Sequence, residues 1–369
     1  MSASHFDNLA GIRGVAAAVV LLSHVVQLHF LRFIGLGTPL HQISSVTSEY
    51  AVVVFFILSG YLIAHTLEAN IERNGRLRLG MFVAARVARL YPPFLYAIGV
   101  SLAVFLVMDI FGLPGRSGPL SRPGDLYAAR EVVHLPLGEI KQALLMLRGM
   151  LEINGPLWSL YIEAKLYILY ACALALATGR RSFAQMLILL VAFCYVAKFG
   201  VELNPGFAAY AAVWLTGALS YYVWSERGGW RNRLLLCSGL ITLIVVAEGW
   251  RAQQNGAVSW IVARDVLVAA AIAWLLFKLR IRVPAGRRLA DWSYSLYVTH
   301  FPVLLLAQSL LIATGSASVG AAIAVALAST AAAAGVALIG GAIEAKKSVV
   351  QNRLLALAES LRNLRVKSS

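Results

Sequence analysis

The chain has few charged residues and very few cysteines. Only 13% of its 369 residues are Asp, Glu, Lys or Arg, whereas 60% are hydrophobic and the mean hydropathy is +0.75. Soluble domains carry about twice that charged fraction, so the composition excludes a soluble globular protein and indicates an integral membrane protein. The three cysteines lie singly within apolar runs, which argues against a disulfide framework or a metal site.

Acidic residues are much scarcer than basic ones, with 17 Asp and Glu against 32 Lys and Arg. In a soluble protein, a net charge of +15 would suggest a nucleic-acid partner. In a membrane protein, the side of the membrane on which the basic residues lie is more informative, because it indicates the orientation of the chain. If the N-terminus is cytoplasmic, 21 of the 32 basic residues fall on the cytoplasmic side. This asymmetry predicts that both termini are cytoplasmic and explains the charge without a nucleic-acid partner.

Long apolar runs determine the predicted fold. Ten runs qualify as spans: 10–31, 50–68, 93–113, 156–178, 183–200, 206–225, 232–250, 260–279, 293–313 and 317–343. We predict an all-α, polytopic bundle of about ten transmembrane helices over residues 1–345. Residues 346–369 are predicted to form a basic amphipathic tail on the cytoplasmic surface, in contact with membrane lipids.

The first run contains two ionisable residues, Arg13 and His24. They are eleven residues apart, so they share one helix face with about 16 Å of rise between them. Within a bilayer each costs a few kcal/mol unless it faces a polar cavity or a partner. The residues leave two interpretations open: a functional pair, or an Arg13 that reaches the headgroups and a His24 that makes one interhelical hydrogen bond.

A second pair of basic residues, Arg86 and Arg89, lies in an amphipathic segment near 80–91. The spacing projects both guanidinium groups from one helix face, and Pro92-Pro93 is predicted to end this interfacial helix. The pair suits either anionic lipid headgroups or the phosphates of a bound ligand, since guanidinium matches phosphate oxygens bidentately. In the preceding span, Ser59 and Gly60 predict a close approach of another helix backbone.

Glu163 is the acidic residue of most interest. It follows a long predicted outer loop over 114–155, and Asn154-Gly155-Pro156 signals a helix start, so Glu163 lies about two turns inside a span. Counted from the outer boundary, His24 reaches a similar depth. If the two helices are neighbours, we expect a carboxylate–imidazole pair that orients the histidine.

Five segments together resemble a known family, the membrane acyltransferase 3 family of O-acyltransferases. They are Arg13 with His24, FFILSGYLI at 55–63, Arg86-x-x-Arg89-Leu-Tyr-Pro92, WSLYIEAKLY at 158–167 with Glu163, and SYSLYVTHFP at 293–302. Each is weak alone, but all five in this order are specific. The resemblance runs nearly end to end.

The resemblance implies a function. Such proteins move an acyl group from cytoplasmic acyl-CoA, here expected to be acetyl-CoA, to a hydroxyl of an extracytoplasmic or lipid-linked glycan such as exopolysaccharide or O-antigen. The expected location is the bacterial cytoplasmic (inner) membrane. Acyl-CoA is a substrate, and no permanently bound cofactor or metal is expected. A separate partner protein of the glycan pathway is an open possibility.

The resemblance also implies roles for individual residues. His24 resembles the catalytic histidine, with Arg13 its partner and Glu163 the essential acid, while Arg86 and Arg89 resemble the pair that meets the CoA phosphates. The same segments supply expected substrate contacts at Trp158, Ser159, Tyr167 and His300, although a lone histidine such as His300 is more often a structural hydrogen bonder. The alternative function is a transporter or flippase, which also needs many spans and buried ionisable residues.

Overall fold

The computed structural model describes residues 3–120, 132–177, 182–204, 206–225, 237–248, 261–278, 289–316 and 318–367. Throughout these segments the regular secondary structure is helical, as predicted. Helix α1 (Ala3–Val25) continues through a π-helical turn (Val26–Phe30) into the one-turn α2 (Leu31–Ile34). The remaining helices are α3 (Pro39–Asn74), α4 (Leu79–Ile110), α5 (Leu137–Leu144), α6 (Leu157–Ala177), α7 (Phe183–Leu203), α8 (Phe207–Ser225), α9 (Cys237–Glu248), α10 (Ile261–Lys278), α11 (Ser293–Ala313), α12 (Val319–Glu344) and α13 (Lys347–Lys367).

Seven helices within the described segments are long and apolar enough to cross a membrane. They are Phe6–Ile34, Pro39–Asn74, Leu79–Ile110, Leu157–Leu176, Phe183–Leu203, Ser293–Ala313 and Val319–Glu344. The chain is therefore a polytopic membrane protein, while the predicted count of ten spans is not confirmed. The other three predicted spans correspond to α8, α9 and α10, and the described part of α9 is only Cys237–Glu248.

The prediction that Pro92-Pro93 ends an interfacial helix is wrong. Both prolines lie inside α4, which runs without interruption from Leu79 to Ile110. The carbonyls of Ala88 and Arg89 lose the amide donors that a regular helix would give them. Packing outweighs this local cost, because α4 is in contact with α11, α12 and α13. The arginine pair therefore belongs to a long helix of the bundle.

Helices α3 and α8 pack closely through two glycines. A Cβ atom on Gly60 would lie 2.0 Å from the carbonyl oxygen of Trp214, and one on Gly217 would lie 2.1 Å from that of Ile57. Only glycine allows this approach, so the predicted role of Ser59-Gly60 in close packing is confirmed. The contact holds Trp214 against Ser59, which lines the candidate site.

The segment before α6 folds back into the bundle. Asn154 is fully buried and its side-chain amide donates to the carbonyl oxygen of Val298, at 2.8 Å, and to Ser101 Oγ, at 3.2 Å. Ser101 lies nine residues, or about 13 Å of rise, before the end of α4. Helix α6 begins at Leu157, as the Asn-Gly-Pro signal predicts, but its start is recessed among other helices.

Hydrogen bonds from Lys165 hold this buried segment in place. The Lys165 ammonium group donates to three carbonyl oxygens, those of Met146 at 3.0 Å, Leu147 at 2.7 Å and Tyr161 at 3.1 Å. Met146 and Met150 both have positive φ, at 54° and 58°, which shows how sharply the chain turns here. The Lys165 side chain points to this turn and does not neutralise Glu163.

Candidate active site

A narrow cavity is lined by the predicted ionisable residues of α1, α4 and α6; it is called the inner cavity because it lies toward the start of α1. Arg13, Arg86, Arg89 and Glu163 all line it, together with the predicted substrate contacts Ser159 and Tyr167. Its volume is about 60 Å³. Three guanidinium groups facing one carboxylate give the cavity a net positive charge, so it suits an anionic ligand.

Arg86 has unused hydrogen-bonding capacity. Its guanidinium lies over the ring of Phe82, 5.7 Å from the centroid, and over the ring of Tyr167, at 6.0 Å. The buried Nε atom has no hydrogen-bond partner among the described residues. An unpaired buried donor is costly, and a ligand that supplies an acceptor removes that cost.

Residues of α11 and α12 hold the Arg13 side chain. Its Nε donates to Ser293 Oγ at 3.2 Å, and the guanidinium interacts electrostatically with Glu163 and Glu344. Glu344 is 5% exposed and accepts a hydrogen bond from Ser295 Oγ at 3.4 Å. These contacts bring Arg13 to the same cavity as Arg86 and Arg89, so the headgroup alternative for Arg13 does not describe this structure.

Lys347 adds to the positive field near the start of α13. Burial and the neighbouring Arg89 guanidinium lower the pKa of Lys347 below its usual 10.5, while Glu344 opposes the shift. The tail helix therefore begins beside the arginine cluster.

Glu163 is fixed by hydroxyl groups. Ser59 Oγ and Tyr167 OH both donate to Glu163 Oε1, each at 2.5 Å, and Trp214 Nε1 donates to Ser59 Oγ at 3.1 Å. The carboxylate therefore has one orientation, facing Arg13 and Arg86, and it is tied through Ser59 to the α3–α8 contact.

A second cavity of about 480 Å³ is lined by His24 and is called the outer cavity because it lies toward the end of α1. Its polar lining includes Gln27, Ser48 and Glu49, and its aromatic lining includes Trp158 and Tyr210. The two rings lie 4.8 Å apart. Hydrogen-bonding groups beside aromatic faces form a pocket for a polar organic molecule with an apolar surface.

The expected pairing of His24 with Glu163 is wrong. His24 Nδ1 lies 2.9 Å from Nε2 of His300, and the two imidazole rings are stacked with centroids 5.1 Å apart. Glu163 lines the inner cavity, whereas His24 lines the outer one. The depth estimate placed the start of α6 at the outer boundary, whereas Asn154, just before α6, is buried and donates to Ser101 in the interior of α4.

Tyr297 lines both cavities and marks the boundary between them. Its hydroxyl is 2.6 Å from Ser159 Oγ and donates to the carbonyl oxygen of Pro156 at 3.3 Å. A molecule that reaches from the arginine cluster to His24 must pass this tyrosine.

Comparisons with known proteins identify the family of the chain. A family described as "Acyltransferase domain", acyltransferase 3, matches residues 6–340, which is nearly the whole chain. The chain belongs to the acyltransferase 3 family. "Protein 2 in picA locus" of Rhizobium radiobacter is 34% identical over 182 residues, which are 48% of this chain and 86% of that protein. No solved structure matches.

In this membrane acyltransferase the predicted site residues fall into three places. The inner cavity holds most of them: Arg13, Arg86, Arg89, Glu163, Ser159 and Tyr167. The outer cavity holds His24 and Trp158. His300 is fully buried and lines neither cavity, and its ring lies against that of His24, so its predicted contact with substrate stays a prediction.

Sequence reasoning missed four residues that the structure adds to the site of the acyltransferase: Ser59, Ser293, Tyr297 and Glu344. Ser293 and Tyr297 lie in the SYSLYVTHFP segment, where a polar group at every second or third position was a usable signal. Glu344 lies just beyond the last predicted span, 317–343, and was not identified as a candidate, although a carboxylate that becomes buried needs a cationic partner.

Proposed function

We propose that this acyltransferase is a bacterial inner-membrane O-acyltransferase. It moves an acyl group, proposed to be acetyl, from cytoplasmic acyl-CoA to a hydroxyl of a glycan or another extracytoplasmic or lipid-linked acceptor. The observation that carries the proposal is the pair of cavities that meet at Tyr297, one lined by three arginines and the other by His24. A polyanionic donor and a hydroxyl acceptor need two such different environments.

The inner cavity supports the donor assignment. Acyl-CoA carries phosphates on its nucleotide end, and phosphate binds guanidinium groups with short, charge-assisted hydrogen bonds. Arg86 Nε is buried with its donor unused, and Arg13 and Arg89 face the same space. In the proposal the phosphates bind this cluster and the pantetheine arm extends past Tyr297 and Ser159.

The outer cavity supports the acceptor assignment. A sugar ring offers hydroxyl groups at its edge and apolar C–H groups on its faces. Gln27, Ser48 and Glu49 provide hydrogen-bond partners, and Trp158 and Tyr210 provide aromatic surface. The opening of this cavity is the proposed route for a glycan or lipid-linked saccharide, delivered with or without a partner protein.

His24 is the proposed general base. It takes the proton of the acceptor hydroxyl as the oxygen attacks the thioester carbonyl, a C–O bond forms, and the C–S bond breaks. The imidazolium then returns the proton to the departing thiolate, which leaves as free CoA. A thioester is already activated, so positioning and proton transfer are the main contributions asked of the protein.

The test is acyl transfer in membranes that contain wild type or His24→Ala, with radiolabelled acetyl-CoA and a glycan extract of the host. His134→Ala is the matched control, since His134 is an exposed loop histidine whose side chain is 69% accessible. We expect label in the glycan and CoA release from wild type and His134→Ala, with a loss of about 10²-fold or more in His24→Ala.

Two results would contradict the proposal. If His24→Ala is folded and abundant but transfers label at the wild-type rate, His24 is not the base. If no acyl-CoA is consumed by wild type while a glycolipid crosses the membrane, the chain works as a transporter or flippase.

A further inference from the structure

Three groups form a continuous hydrogen-bonded line through α1 and α11. The carbonyl oxygen of Leu296 lies 2.9 Å from Nδ1 of His300, and Nε2 of His300 lies 2.9 Å from Nδ1 of His24. All three belong to or border helices that carry the candidate site. The geometry allows the hydrogen atoms along this line to be assigned.

The assignment starts from the backbone. A carbonyl oxygen only accepts, so Nδ1 of His300 carries a hydrogen. His300 is fully buried, and a second hydrogen on its ring would place an imidazolium in the apolar interior, which is costly. His300 is therefore neutral, and its Nε2 is an acceptor. It follows that Nδ1 of His24 is the donor in the contact between the two histidines.

This line determines which nitrogen of His24 is basic. With its hydrogen on Nδ1, neutral His24 has its lone pair on Nε2, across the ring from His300. We infer that His300 is a positioning residue that selects this tautomer of His24 and orients its ring toward the outer cavity. The inference rests on the proposed function for its role in catalysis, but the tautomer itself does not depend on it. His300 thus takes the place that sequence reasoning gave to Glu163.

Neighbouring contacts hold the two rings in register. The ring of Phe301 meets the His24 ring edge-on, with centroids 5.2 Å apart. Five residues after His24, the His29 ring hydrogen-bonds Gln308 at 3.0 Å and Ser329 at 3.2 Å. These contacts connect the π-helical turn that follows His24 to α11 and α12. Rigid support of this kind keeps a catalytic ring in one orientation.

The first test is the tautomer in the wild-type protein. Detergent-solubilised protein labelled with ¹⁵N-histidine is examined at pH 8, and the His24 signal is assigned by its loss in His24→Gln. We expect the Nδ1–H tautomer, although free histidine prefers Nε2–H. Observation of the Nε2–H tautomer for His24 overturns the inference, whatever the outcome of the acyl-transfer assay.

The second test compares His300→Gln with His300→Leu. Glutamine keeps an acceptor for the His24 Nδ1–H, whereas leucine only fills space. We expect His300→Leu to lower kcat by about 10²-fold with KM for acetyl-CoA unchanged, and His300→Gln to stay within about 10-fold of wild type. A purely structural role predicts the reverse order, because leucine suits a buried site better than an amide.

Discussion

At the residue scale, Glu163 is the counter-charge of the arginine cluster. It is held by Ser59 and Tyr167 and faces Arg13 and Arg86. If the carboxylate is neutralised, the charge of these guanidinium groups is left less compensated, which lowers the stability of the fold. When acyl-CoA is bound, its phosphates would compensate the positive charge of the arginines in place of the carboxylate. The carboxylate and the ligand are thus expected to act on the same arginines.

We therefore predict that Glu163→Gln lowers the thermal unfolding temperature by several degrees without ligand and shows a larger stabilisation by CoA than wild type does. Thermal shift measurements with and without CoA check this. Glu202→Gln is the control, because Glu202 forms only an exposed pair with Lys198. Equal unfolding temperatures and equal CoA shifts in Glu163→Gln and wild type would rule out the counter-charge role.

Arg86 is predicted to bind donor through its planar guanidinium. Arg86→Lys keeps the positive charge but loses the fork geometry and the unpaired Nε donor. We expect KM for acetyl-CoA to rise about 10-fold with kcat nearly unchanged, which corresponds to one charge-assisted hydrogen bond. Steady-state kinetics measure this, with Arg32→Lys as control since Arg32 stacks on Phe33 away from the site. A fall in kcat at constant KM would contradict the assignment.

Residue types were easier to predict from the sequence than their partners. Charged residues in apolar runs are conspicuous because burial is costly, so Arg13 and Glu163 could be identified as candidates. Arg86 could be identified from its helical spacing with Arg89. Which of them meet depends on which helices are neighbours, and helix periodicity does not contain that information. The His24–His300 contact joins residues 276 positions apart, and only the packing of α1 against α11 brings them together.

At the scale of elements, the contact of α3 with α8 is sensitive to side-chain size. Gly60→Ala places a Cβ atom 2.0 Å from a backbone oxygen, so one helix must move. Overpacking of this kind costs about 1–3 kcal/mol. Movement of α8 also shifts Trp214, which donates to Ser59.

We predict that Gly60→Ala lowers both the unfolding temperature and acyl transfer. Gly99→Ala is the matched control, because Gly99 lies within α4 and a Cβ atom there meets nothing within 4 Å. In Gly99→Ala we expect the free energy of unfolding to rise by about 0.5–1 kcal/mol, because alanine favours the helix more than glycine does. Size-exclusion profiles after heating measure both variants. Equal stability of the two variants would show that the α3–α8 contact adjusts freely.

Two features of the elements were not predictable from local rules. Pro92-Pro93 is a strong helix-stop signal, yet α4 continues because its neighbours stabilise both halves. The segment before α6 reads as a polar outer loop, yet Asn154 and Lys165 tie it into the bundle through backbone carbonyls. In both cases long-range contacts outweigh the local preference, and the sequence within any one window does not show them.

At the scale of the whole molecule, the two cavities lie in series along α1. Arg13 marks the inner cavity and His24 the outer one, about 16 Å of helix rise apart, with Tyr297 between them. Such an arrangement lets donor and acceptor arrive from opposite sides of the membrane. The proposal therefore depends on orientation, since acyl-CoA is available only in the cytoplasm.

The distribution of Lys and Arg predicts that orientation, and cysteine labelling tests it. In a background where Cys172, Cys194 and Cys237 are replaced by alanine, Arg76→Cys lies between α3 and α4, and Gln42→Cys lies in the first turn of α3; both positions are exposed. We expect an impermeant maleimide to label Gln42→Cys in intact cells and Arg76→Cys only after permeabilisation. The opposite pattern would place the arginine cavity on the outer side, out of reach of cytoplasmic acyl-CoA, and the proposed direction of transfer would be wrong.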